Sequence, residues 1–174
     1  MPLILNTLKE EEYASYYKTY LEGLEDFNIT SYMIDELEVQ LEILESIPEE
    51  KFSYSYKEGK WSIAELILHV CDSETVFAYR SLSIARNDKT NLPGFQQDDW
   101  VINSTANSLS KDTIIGLFKT TRNHSISLYK SYNDEQLLTI GTANNASFSV
   151  RSLAYIIIGH NRHHFKVLKE LYFD

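Results

Sequence analysis

His160 and His164 stand four residues apart in "GHNRHH" (159–164), inside "SVRSLAYIIIGHNRHHFKVL", a run that otherwise reads as a buried helix. Residues four apart on a helix differ by ~40° in direction and ~6 Å in height, so both imidazoles can reach one point above the helix surface. A His-Glu-x-x-His helix uses the same spacing to supply two zinc ligands. The inward positions Leu153, Ile157, His160, His164, Val167 and Leu171 follow a 4-3-4-3-4 rhythm, which places the pair on the apolar seam. A neutral imidazole in a core needs a partner at each ring nitrogen. Two stacked ones demand a dense polar network unless a cation takes one nitrogen from each. A metal site is one reading, and a pair of hydrogen-bonded core histidines is the other.

A third ligand has to come from another helix. His69 in "ELILHVCDSE" is the evident candidate, because it sits among Leu66, Ser73 and Val76 at seam spacing. His163 points about a quarter-turn away from the pair and reads as a rim residue or a hydrogen-bond partner of a ligand, and with Asp72 and Glu74 it is a candidate catalytic residue. His124, in polar "TTRNHS", reads as solvent-facing. Three neutral nitrogens would leave Zn²⁺ or Ni²⁺ with an open position, an arrangement of the catalytic type, whereas structural zinc is closed by four ligands. Water bound at such a position ionises near neutral pH, and a bound thiol is deprotonated outright. The first chemistry makes a hydrolase and the second an S-transferase. Asp72 and Glu74 are candidates to orient a ligand or take a proton, with an exposed helix face as the plain alternative for both. Cys71 lies on a different face from His69 and reads as a small core hydrophobe. Protons compete for imidazole nitrogens with an ordinary pKa near 6.5, so metal affinity is expected to weaken in acid.

The elements that must carry these residues are helical. Met33, Leu37, Leu41 and Leu44 recur at spacings of four and three over residues 30–47, and Pro48 closes that segment. "WSIAE" begins a second helix with Ser62 and Glu65 at capping-box spacing, and it runs through Leu66, Val70 and Phe77 toward Asn87. A loop follows at Pro93 and Gly94. The third helix starts near Ser110 and carries Ile114, Leu117, Phe118 and Leu128; the fourth starts near Ser149. "KEEEYASYYKTYLEGL" (9–24) reads as a shorter amphipathic helix lying across the others, with Tyr13, Tyr17 and Leu21 four apart. The alternation Phe52, Tyr54, Tyr56 is the only strand-like signal and is too short for a sheet. The expected fold is all-α, a four-helix bundle with an additional short N-terminal helix.

The 174 residues are 43% hydrophobic and 24% charged, with six glycines and three prolines, and no linker-like segment or repeat divides them, so a single domain over 1–174 is expected. The net charge of −9 argues against a nucleic-acid surface, which needs clustered Lys and Arg. No stretch approaches the ~20 apolar residues of a membrane span. The N-terminus lacks the basic leader and apolar run of a signal peptide, and the single cysteine excludes an intrachain disulfide, so a cytoplasmic setting is expected.

"GKWSIAELILHVCDSE" (59–74), "RSLSIARND" (80–88) followed by "LPGFQQDDWV" (92–101), and residues 149–168 together resemble the DinB-like superfamily of four-helix bundles, which includes YfiT-like proteins and bacillithiol S-transferases. The final His-x-x-x-His is the most specific of these elements. The resemblance implies a divalent metal held by His69, His160 and His164, and a homodimer. It implies, further, a metal-dependent enzyme acting on small molecules. An S-transferase using a thiol such as bacillithiol against an electrophile is the leading activity, with a metal-dependent hydrolase or a non-catalytic metal-binding stress-response module as alternatives. For a thiol co-substrate, Arg80, Arg86, Gln96 and Asp98 are candidates to hold the polar body. Arg80 stands eleven residues, three turns, beyond His69. A non-catalytic module would have its pocket filled by side chains such as Phe165 or Tyr155. Trp61 and Trp100 read as packing residues near the mouth of the bundle.

Overall fold

The structure is a computed structural model that describes residues 8–24 and 27–173; the stretch read for a leader falls largely outside the described residues. Its helices are α1 (Lys18–Leu21), α2 (Ile29–Ser46), α3 (Ile63–Ala85), α4 (Gln97–Asn103), α5 (Lys111–Lys130), α6 (Asp134–Leu138) and α7 (Val150–Leu171). α2, α3, α5 and α7 form a four-helix bundle in which α3 packs against both α5 and α7, and α2 closes the far side on α5.

Each long helix starts where a side chain can satisfy its free N–H groups. Asn28, Ser62, Ser110 and Ser149 accept bonds from Ser31, Glu65, Thr113 and Ser152 respectively. At α3 the cap is reciprocal, because the Glu65 carboxylate accepts from the Ser62 N–H at 2.7 Å. α2 stops at Ser46, directly before the Ile47–Pro48 pair, where the proline disfavours helical geometry on its N-terminal side.

The N-terminal segment departs from expectation. It is no continuous helix but two 3₁₀ turns, Glu10–Glu12 and Ser15–Tyr17, followed by the single turn α1. The reason is Glu12, which turns inward. Its carboxylate accepts from Ser149 Oγ and Arg151 Nε, both at 2.7 Å, and from the Lys9 N–H at 3.1 Å, while its carbonyl accepts from Ser152 Oγ. Burial alone would raise the Glu12 pKa, but the bonds from Arg151, Ser149 and Lys9 outweigh it and hold the carboxyl below its ordinary value.

Among the described residues the one sheet is a hairpin of β1 (Ile140–Ala143) and β2 (Ala146–Ser149), antiparallel with Ile140 opposite Ser149. Asn144 and Asn145 turn it with φ of 49° and 60°, the left-handed pair that a two-residue hairpin loop needs and that asparagine tolerates. Leu92 pins the preceding loop to β1 by giving its N–H to the Thr142 carbonyl at 3.0 Å. Phe52, Tyr54 and Tyr56 form no strand; Phe52 caps the 3₁₀ turn Glu49–Lys51, Tyr54 lies in irregular chain and Tyr56 in a bend. The inward faces also differ from the expected seams at Leu117 and Leu171, which are 41% and 42% exposed. α5 instead buries Arg122 and Ser125. Among the described residues no helix is long and apolar enough to cross a membrane.

Candidate metal centre

α3 and α7 bring three imidazoles to one point. The Nε2 atom of His160 lies 3.2 Å from Nε2 of His69 and 3.1 Å from Nε2 of His164. His69 and His160 are buried and His164 is partly exposed. His160 Nε2 carries either one proton or one lone pair in a neutral ring, so it can serve only one of these two contacts as a hydrogen bond. The other contact then sets like against like. A cation removes the conflict, since all three lone pairs can point at it. Two nitrogens bound tetrahedrally at ~2.0–2.1 Å stand ~3.3 Å apart, close to both measured separations. The donor set therefore fits a divalent ion of the zinc or nickel kind. The Nδ1 atoms of His160 and His164, which would then carry the protons, are buried without a hydrogen-bond partner among the described residues.

Aromatic rings enclose this cluster. Trp61 lies 4.8 Å from His69 between centroids, and Tyr20 and Phe77 meet His160 edge-on at 5.4 and 6.1 Å. The casing buries His69 and His160, and burial lowers the pKa of all three imidazoles. His69 falls to about 4, with Asp98 pulling the other way; His164 falls to about 3, and His160 well below 6.5. Proton competition in the folded chain is thus pushed to more acid pH than an ordinary histidine would give. The linkage is definite in sign. Between pH 6.5 and about 4 the unfolded chain binds protons that the folded metal-free chain refuses, so stability is lost as pH falls through that window. The slope is ~1.4 kcal/mol per pH unit for each histidine refusing its proton. Denaturant melts of metal-free protein at pH 7.5 and pH 5 should show this loss, and a flat profile would mean the imidazoles charge freely in the fold.

Gly159 explains how α1 reaches the cluster. A Cβ at this position would collide with the backbone carbonyl oxygen of Tyr20, so glycine is what allows the turn to seat its Tyr20 ring against His160. Alanine would gain up to ~1 kcal/mol in helix propensity but overpack against backbone at ~1–3 kcal/mol. Gly159→Ala should therefore lower stability in urea melts and speed tryptic cleavage at Lys18; unchanged melts and cleavage would show that α1 moves aside without cost.

A cavity of ≈330 Å³ opens beside His164, lined among others by Tyr56, Lys60, Trp61, Asp98, His163 and Tyr172. Tyr172 fixes the wall by donating its hydroxyl to the Trp61 carbonyl at 2.7 Å. His163 sits on the rim, exposed, its ring 5.0 Å from His164 and outside the nitrogen cluster. His124 is exposed on α5, and Cys71 is buried, its thiol pKa pushed up by burial.

Several other candidates lie elsewhere. Arg80 is buried and donates to the Pro93 carbonyl at 2.8 Å, tying the loop to α3. Eleven residues of helix carry it ~16 Å from His69 along the axis, and it does not line the cavity. Gln96 is the residue before α4 and lines a separate surface recess with Phe95, Asp99 and Trp100; Arg86 is exposed at the end of α3. Trp100 is 43% exposed and packs on Phe95 in that recess, unlike Trp61. Asp72 is half-buried and outside the cavity lining. Glu74 is neither on an exposed face nor at the cavity, but buried against Arg122 Nη2 at 3.1 Å. Tyr155 packs on Phe27 and Phe165 on Phe118, so neither fills the cavity. Lys60 and Tyr172 were not singled out by spacing. The signal for Tyr172 was its aromatic ring just past the last helix, which only the fold turns toward Trp61.

Residues 35–168 match the family model of the DinB superfamily. A candidate metal-dependent hydrolase of Oceanobacillus iheyensis, OB0413, is 30% identical over 130 residues, 74% of this chain and 74% of its own length. Among solved structures, YfiT from Bacillus subtilis, described as a probable metal-dependent hydrolase with an unusual four-helix bundle topology, superposes with a TM-score of 0.69 at 13% identity, over 95% of this chain and 90% of its own. A mycothiol-dependent maleylpyruvate isomerase superposes with a TM-score of 0.64, also at 13% identity, over 88% of this chain and 62% of its own. At that identity the two structures speak for the fold.

Proposed function

The chain belongs to the DinB superfamily, and from that premise we propose that it is a divalent-metal-dependent enzyme for small molecules, with His69, His160 and His164 as ligands. The observation that carries the reading is the convergence of three Nε2 atoms, 3.1 and 3.2 Å apart, at the wall of a cavity. Zinc or nickel held by three neutral imidazoles supplies activation of a nucleophile at neutral pH.

The chain's own residues do the rest. Trp61, Tyr20 and Phe77 bury His69 and His160 and favour their neutral form, the state in which they bind a cation. Tyr56, Trp61 and Tyr172 offer aromatic surface for the body of a substrate, while Lys60 and Asp98 place one charge of each sign on the cavity wall to orient it. We favour a thiol such as bacillithiol as the nucleophile, because the cavity has room for a bulky polar co-substrate. The hydrolase reading is favoured by the relative from Oceanobacillus iheyensis, itself a candidate metal-dependent hydrolase. A homodimer in the cytoplasm, each chain one domain, belongs to the same proposal.

The test is turnover by zinc- or nickel-loaded protein of a thiol-reactive electrophile such as chlorodinitrobenzene, with and without bacillithiol, beside hydrolysis of a nitrophenyl ester. Turnover that requires both metal and thiol is expected. Ester hydrolysis alone would assign the hydrolase, and metal binding with neither reaction would leave a non-catalytic module.

A further inference from the structure

Directly beyond the histidine layer the bundle holds a second polar layer. Glu74 of α3, Arg122 of α5 and Asn161 of α7 are each at most 2% exposed. Glu74 Oε2 pairs with Arg122 Nη2 at 3.1 Å and accepts from Asn161 Nδ2 at 3.1 Å, and Asn161 Nδ2 also reaches the Ile157 carbonyl. Glu74 Oε1, the three guanidinium nitrogens of Arg122 and Asn161 Oδ1 form no hydrogen bond among the described residues, so the Glu74–Arg122 contact is an ion pair and the Asn161–Glu74 bond is the layer's link between α3 and α7. Asn161 follows His160 directly, and Glu74 is five residues past His69.

Stability does not account for such a layer. Well-packed apolar side chains of similar volume commonly serve a core as well as a buried ion pair, or better. What a polar layer adds is discrimination. Around this layer α3 and α7 pack largely through apolar side chains such as Ile67, Val70, Leu153 and Ile157, and for these a slip of one turn, ~5.4 Å, would still bury apolar against apolar. The same slip would part Asn161 from Glu74, breaking the hydrogen bond that joins α7 to α3 in this layer, and leave the buried amide without that acceptor. A metal site tolerates far less than one turn, since His69 and His160 face each other across this helix pair at 3.2 Å. We infer that the Glu74–Arg122–Asn161 layer is a register pin that holds α3 and α7 at the offset the imidazoles require, which makes Glu74 and Asn161 positioning residues for the site. The inference rests on the proposed metal site only for its consequence, not for the helix offset itself.

The experiment measures both. Spin labels at exposed Thr75 on α3 and exposed Lys166 on α7, in a Cys71→Ala background, report the offset in the metal-free chain, and cobalt titration reports the site. With Glu74→Met and Arg122→Met together, the label distance is expected to shift or broaden by about one turn, ~5 Å. Cobalt affinity is expected to fall ~10–100-fold, with an altered visible spectrum, while melting of the metal-free protein holds or rises. An unchanged distance distribution overturns the inference. Should the double variant fail to fold, Asn161→Leu, which leaves the ion pair intact, carries the same two measurements with the same outcomes. A wild-type protein that binds no cobalt, beside variants whose distances shift, would sink the metal reading and leave the pin standing.

Discussion

His160→Ala is expected to take the purified protein from about one divalent ion per chain to almost none, and His69→Ala to do the same although it lies ninety-one residues away in sequence. The expectation follows from coordination number. His160 Nε2 is the nitrogen in contact with both others, so its removal leaves His69 and His164 on separate helices without the atom that joins them. His164→Ala leaves His69 and His160, a two-nitrogen site that seldom holds zinc or nickel against water. His124→Ala on the exposed face of α5 should keep the metal, and His163→Ala, on the rim, should weaken it no more than ~10–100-fold, which excess metal hides. Elemental analysis of the five variants decides the matter. Loss of metal in His163→Ala with retention in His69→Ala would replace the interhelical site with a local cluster on α7.

The largest effect on stability is expected at Glu12→Ala. The variant removes the Glu12 carboxylate from the Arg151 guanidinium, to which it is bonded through Nε, in a pair whose side chains are both 6% exposed. The change removes the carboxylate that accepts from Arg151, Ser149 and the Lys9 N–H, and hydrogen bonds to a charged group contribute ~1.5–3 kcal/mol each. Urea melts should register that loss, and hydrogen exchange should rise across residues 9–24, since Glu12 ties this segment to the start of α7. Glu12→Gln should cost less, as an amide still accepts from Arg151 and Ser149. The pair has a pH signature as well. The Glu12 pKa is lowered in the folded chain, so its contribution is present above the ordinary carboxylate pKa and is lost as pH falls through the folded value. A Glu12→Ala protein as stable as wild type would mean that the segment docks by its tyrosines alone.

Much of this arrangement was legible before any coordinates. Helix starts at Ser62, Ser110 and Ser149 follow from local chemistry, a hydroxyl before an amphipathic run, and the structure has its caps at those residues. The hairpin had its own signal, "TANNAS", where two asparagines suit a left-handed turn, but the flanking strands are four residues each and too short for periodicity to announce. α4 was missed inside a loop for a similar reason, being seven residues long and almost wholly exposed, with no apolar stripe to read.

Side-chain roles divide along the range of the forces involved. The offset of four between His160 and His164 sets a local geometry, so a pair of imidazoles on one face of one helix was determined by the sequence alone. Which other residues share that face was not. Arg80 lies on the same helix as His69 but three turns along it, where the Pro93 carbonyl captures its guanidinium. Glu74, a plausible proton acceptor by spacing, is drawn instead to Arg122 on another helix, because a carboxylate taken out of water needs a cation and α5 brings one within 3.1 Å. Glu12 breaks a regular helix pattern for a like reason, its partner Arg151 lying 139 residues ahead. Periodicity reports which residues leave water. Which charged group meets which is decided by packing between helices far apart in the chain, since a buried charge takes the nearest opposite partner the fold provides and its own neighbours in sequence do not reveal it.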